Sequence, residues 1–115
     1  MLEPANRAIE NNQPDRALEL GRQYLESNPN AAEGYGICAQ ALMMLGRLDE
    51  ARQMIGRAGV IDAQSVPIRL LAAELAFRER DYTRAVMLIK EVTHEQPGHV
   101  LALLGLARAQ IAAGD

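Results

Sequence analysis

The chain has 115 residues, room for one domain, and its 49% apolar content with only 3% aromatics and no Trp requires an aliphatic core. Twelve basic against 15 acidic residues leave a net charge of −3, which disfavours a nucleic-acid binder, a class that carries a basic excess on one face. A single Cys excludes an intramolecular disulfide framework and a Cys-based zinc site, and no apolar run free of charge is long enough to span a membrane.

In chain order, Pro4 is best placed in the first turn of an opening helix, where its missing N–H costs nothing. A second helix is predicted over about 14–27, stopped by Asn28-Pro29-Asn30. A third runs over 31–45 and stops at Gly46, a residue that readily ends helices. The fourth, 48–60, places Leu48, Ala51, Met54, Ile55 and Ala58 on one helical face. A fifth over about 66–79 and a sixth over 81–94 follow, with Asp81 where an N-cap is useful and Gln96-Pro97-Gly98 as terminator. The last, about 99–113, precedes Gly114. No β pattern competes: Val60-Ile61 and Val66-Pro67-Ile68 flank a loop and are too short for a sheet. Apolar helical stripes joined by loops of a few residues imply antiparallel neighbours.

The strongest signal is self-similarity at a fixed step. Ala5, Ala39, Ala73 and Ala107 are each 34 residues apart. The same step relates Ala17, Ala51 and Ala85, then Pro29, Ala63 and Pro97, then Asn12, Gly46, Arg80 and Gly114. The period runs through the chain without an insertion and divides it at approximately 1–31, 32–65, 66–99 and 100–115.

With these residues the sequence resembles the tetratricopeptide repeat family: a period of 34, a small residue within each first helix, an alanine opening each second helix and a closing proline. It departs from the pattern where the early aromatic of the first helix survives only as Tyr35, with Arg69 and Leu103 in that column. It departs again where the closing proline is Ala63, and where the late small residue of the second helix is Tyr24 and Val92. The resemblance implies an all-α fold, a right-handed αα-hairpin solenoid of about three helix pairs plus one unpaired C-terminal helix. Alanine at a helix crossing lets backbones approach closely, and each hairpin buries its apolar face only by stacking on the next. A pentatricopeptide array is the runner-up, but its period is 35 and its RNA-reading surface is basic.

The resemblance also implies that the first helices line a concave face. One inward column is polar: Asn6, Gln40, Glu74 and Arg108. Three residues on lie Ile9, Met43, Phe77 and Ile111; four residues before it lie Leu2, Gly36, Leu70 and Leu104. Such a polar ladder between apolar rows suits a bound helix or extended peptide. Phe77 is the best single anchor, and Met43 with Met44 adds an adaptable surface. The candidate groove is therefore Asn6, Ile9, Gln40, Met43, Leu70, Glu74, Phe77, Leu104, Arg108 and Ile111; the competing reading makes the apolar members plain packing. The family's cluster for clamping a C-terminal carboxylate is matched only by Asn6, the other columns holding Leu2, Ile37, Pro67 and Leu71, so chaperone-tail binding is disfavoured. In 100–113 only Arg108 and Gln110 are polar. The face of Val100, Leu103, Leu106 and Ile111 thus calls for cover, either from a following helix in a longer protein or from self-association.

Weaker motifs carry less. Gly34-Tyr35-Gly36-Ile37-Cys38-Ala39 fits G-x-G-x-x-A, but a turn and not a strand precedes it. Cys38 reads as a buried small hydrophobe, and His94 with Glu91, Glu95 and His99 reads as a solvated helix end rather than a metal site. No catalytic constellation stands out, and no cofactor, metal or enzymatic activity is expected. The expectation is a non-catalytic protein-interaction scaffold within a larger protein or assembly. The alternatives are an accessory region of a multidomain enzyme, for example a transferase, and an oligomerisation module acting through the C-terminal helix. Eleven Arg against one Lys point to a GC-rich bacterial gene, and the absence of an apolar leader in this chain favours the cytoplasm.

Overall fold

The computed structural model describes residues 2–114. Seven helices follow one another: α1 (Glu3–Glu10), α2 (Pro14–Ser27), α3 (Ala32–Met44), α4 (Leu48–Ile61), α5 (Val66–Arg78), α6 (Tyr82–Glu95) and α7 (Val100–Ala113). No strand occurs among the described residues. Pro4 lies in the first turn of α1, and from α2 onward each boundary falls within a residue or two of its predicted place, because helix ends are written in local backbone chemistry.

The 34-residue column of Asn12, Gly46, Arg80 and Gly114 has a conformational cause. All four take positive φ, at 57°, 76°, 65° and 85°. This left-handed residue closes each first helix. After α1, α3 and α5 the same pair of bonds recurs. Asn12, Gly46 and Arg80 donate to the carbonyls of Ile9, Met43 and Phe77, and the next residues, Gln13, Arg47 and Asp81, donate to those of Ala8, Leu42 and Ala76. Second helices end in another shared geometry. Asn28, Asp62 and Gln96 have φ between −132° and −143° and ψ between 67° and 80°. Ala63 in place of the closing proline leaves this turn unchanged, since its form is held by the bonds from Asp62 N–H to the Ala58 carbonyl and from Ser65 N–H to the Asp62 carbonyl. Of the three second helices only α6 gains a side-chain cap, Asp81 Oδ1 accepting from Arg84 N–H at 3.2 Å.

The chain forms two compact units, one up to Ile68 and one from Arg69 onward. In the first, α1 packs on α2, α2 on α3 and α3 on α4. Ala5, Ala17, Ala39 and Ala51 at the crossings are at most 1% exposed; a leucine at such a site would overpack by about 1–3 kcal/mol. Helix α2 approaches α3 closely enough that a Cβ on Gly21 would stand 2.8 Å from Cys38 Sγ, and one on Gly34 would stand 2.7 Å from Leu25 Cδ2. The G-x-G-x-x-A stretch therefore serves close helix packing. In the second unit α6 packs on α7, and α5 meets α6 through Phe77 and Tyr82, whose ring centroids are 5.3 Å apart in an edge arrangement. Ala73 and Ala85 are buried as their columns predict. Ala107 departs from its column: it is exposed.

Candidate interaction surfaces

In the first unit α3 packs against both α2 and α4, and Ile37 to Met43 are buried apart from Gln40. Asn6 and Gln40 reach solvent, and Ile9 is half-buried. Met43 does not fill the place expected of it. At 2% exposure it belongs to the core and presents no surface to a partner. The same helix face serves packing at Met43 and solvent at Gln40, three residues away.

The second unit gathers most of the expected residues on α5 and α7. Glu74, one turn before Phe77, accepts from two guanidinium groups: Oε2 from Arg78 Nε at 3.0 Å and Oε1 from Arg108 Nη2. Arg108 also lies across the ring of Phe77, its guanidinium carbon 4.1 Å from the centroid, a cation–π contact. The polar ladder is thus internally paired here, two cations on one carboxylate, and Phe77 is half-buried beneath Arg108 and against Tyr82. Leu70 is half-buried, while Leu104 and Ile111 are 63% and 78% exposed. Sequence reasoning passed over Arg78 and Tyr82. The first stands four residues after Glu74, an ordinary helical ion-pair spacing that could have flagged it; Tyr82 shares a column with Pro14 and Leu48, which gives no such signal.

Arg69 occupies the aromatic column led by Tyr35, and each ties its helix to a neighbouring segment. The Tyr35 hydroxyl donates to the Pro29 carbonyl at 2.9 Å. Arg69 Nη1 and Nη2 donate to the two oxygens of Glu95 at 2.6 and 2.9 Å. Arg69 Nε is buried without a partner. The hydrogen bond from Arg69 holds the Glu95 carboxyl below its ordinary value, and the same bond raises Arg69. His99 caps α7, Nδ1 accepting from Ala102 N–H at 3.2 Å. With Glu95 and His99 so engaged, the His94 region is a set of helix-end contacts, and no cluster of three metal-ligating side chains occurs among the described residues. Cys38 is fully buried, and that burial pushes its thiol up, Arg22 opposing.

On the terminal helix, Val100 and Leu103 are 65% and 44% exposed, whereas Leu106 is half-buried. Leu101 and Leu104, at 71% and 63%, extend the apolar surface.

A family model described as tetratricopeptide repeat matches residues 8–75 and 76–115. No curated protein matches the chain. Among solved structures, the TPR domain of Arabidopsis OM64 is similar at a TM-score of 0.82 with 21% identity, covering 95% of this chain and 90% of that one. The second TPR domain of human RPAP3, solved by NMR in complex with the HSP70 peptide SGPTIEEVD, is similar at a TM-score of 0.77 with 16% identity, covering 92% and 88%. These likenesses show the fold.

Proposed function

Because the chain belongs to the tetratricopeptide repeat family, we propose that it is a non-catalytic protein-interaction module that takes a peptide or helix on the first-helix face of its second unit. The observation that carries this reading is the cluster of Glu74, Phe77 and Arg108, an aromatic ring held in place with a guanidinium laid over it. An apolar side chain of the ligand packs against Phe77 and Leu70. A carboxylate or carbonyl of the ligand meets the exposed guanidinium of Arg108. The peptide carried by the RPAP3 domain supports binding of this general kind. A carboxylate clamp of the family type finds no support in Leu2, Ile37, Pro67 and Leu71.

A random peptide library selected on the chain tests the reading, with the winners measured by fluorescence polarisation. Phe77→Ala and Arg108→Ala each weaken capture by about tenfold or more, the scale of a hot-spot residue, while Gln23→Ala on the exposed face of α2 does not. Winners indifferent to both substitutions place the site elsewhere.

A further inference from the structure

Tyr82, Phe77 and Arg108 make a row of contacts in the second unit. Tyr82 meets Phe77 edge-on with 5.3 Å between ring centroids, and the Arg108 guanidinium carbon stands 4.1 Å from the Phe77 centroid, over the ring. Glu74 Oε1 accepts from Arg108 Nη2 and holds the guanidinium in that place. The side of the guanidinium turned to Phe77 is thus occupied, and one of its N–H-bearing nitrogens is engaged. The rest reaches solvent, the Arg108 side chain being 54% exposed.

The chemistry of a guanidinium decides what suits its open side. Its N–H groups lie in the plane, so hydrogen bonds form around its edge, while its faces are weakly hydrated. A carboxylate brought over the face meets no N–H and shares the cation with Glu74. An aliphatic side chain covers the charge and returns nothing for the water removed. An aromatic ring returns the attraction of its negative face for the cation, at little cost in hydration. Phe77 already makes this contact on the inner side.

The second unit has no ring of its own left for the outer side. Phe77 and Tyr82 are its only aromatic residues, and both are already in the row.

We propose that the ligand of this site is a peptide anchored by an aromatic side chain, Trp, Tyr or Phe, laid on the open face of Arg108, so that the cation lies between the ligand's ring and Phe77. This rests on the reading that the second unit captures a peptide, and it names the anchor which that reading leaves open. The roles divide by position. The guanidinium edge takes a carbonyl or carboxylate of the ligand, its outer face takes the ring, and Phe77 with Leu70 takes the neighbouring apolar atoms.

The test uses the winners of a random peptide library selected on the 115-residue chain. Each winner is remade with leucine in place of its aromatic residue. Both peptides are titrated by fluorescence polarisation against the chain and against Arg108→Met, which keeps an apolar stem and removes the charge. Leucine in the ring's place weakens binding to the chain by about fivefold or more, the scale of a cation–π contact shielded from water, and weakens binding to Arg108→Met by less than about twofold. In NMR spectra of the unmodified chain the Arg108 Cδ protons move upfield as the ligand's ring settles over them.

Binders that need Phe77 and Arg108 but carry no aromatic residue overturn the proposal and leave the peptide reading standing. So does an equal leucine penalty on the chain and on Arg108→Met, or Arg108 protons that do not shift. Binders indifferent to Phe77→Ala and Arg108→Ala, or no binders at all, overturn the peptide reading at this site and the proposal with it.

Discussion

Arg108 lies over Phe77 with its guanidinium carbon 4.1 Å from the ring centroid, and Glu74, four residues from Arg78 and 34 from Arg108, anchors both cations. One contact therefore joins two adjacent first helices through an aromatic, a cation and a carboxylate. Removing Arg108 tests its structural share. Arg108→Ala lowers stability by about 0.5–1.5 kcal/mol, the sum expected of an exposed cation–π contact and a half-exposed ion pair. Urea denaturation measures it. A double-mutant cycle with Phe77→Leu then separates the ring contact from the ion pair, and a coupling energy of zero would mean that the stacking contributes nothing.

Arg80 takes a left-handed φ of 65° at a position where the same column offers Gly46 and Gly114. A side chain with Cβ is disfavoured there by about 1–2 kcal/mol, part of which glycine forfeits through the greater freedom of the unfolded chain. Arg80→Gly accordingly stabilises the chain by about 0.5–1 kcal/mol. A raised midpoint of thermal unfolding is the expected result, and a lowered one would show that the Arg80 side chain makes a compensating contact.

Gly21 meets Cys38 where α2 approaches α3, with 2.8 Å between a built Cβ and Sγ. Gly21→Ala destabilises by about 1–2 kcal/mol despite the better helix propensity of alanine, because the sulfur is fully buried and has nowhere to move. Adding Cys38→Ala removes the obstacle, so the two substitutions together cost less than the sum of the two alone. Strict additivity in chemical denaturation would contradict the close approach.

The pair of Arg69 and Glu95 makes stability depend on pH. Arg69 holds the Glu95 carboxyl below its ordinary 4.5, so the unfolded chain takes up a proton at higher pH than the folded one. The contribution is present above about pH 4.5 and is lost as pH falls through the folded value. Wild type is more stable than Glu95→Gln at neutral pH, and the two denaturation midpoints converge below pH 4. A gap that stays constant down to pH 3 would show that the pair contributes nothing to folding.

Much of the architecture was legible in the chain because its determinants are local. Helix starts and stops follow from capping residues, from prolines and from the left-handed position that Asn12, Gly46, Arg80 and Gly114 share. A repeat of these signals every 34 residues, with alanine at each crossing, specifies paired helices without any contact being known. The polar column was legible too, as far as helical spacing places Asn6, Gln40, Glu74 and Arg108 together; that Glu74 would bind both Arg78 and Arg108 was not.

What the sequence determined by itself was thus the element order, the helix boundaries, the family and the faces that residues share, all consequences of backbone preferences that act over a few residues. The tertiary structure alone decided how each face is used. Met43 and Ile111 hold the same repeat position, yet one is in the core and the other is 78% exposed. Phe77, again at that position, is half-buried and covered by Arg108. Burial depends on which helix comes to rest over a side chain, and that is a property of packing across distant segments rather than of local spacing.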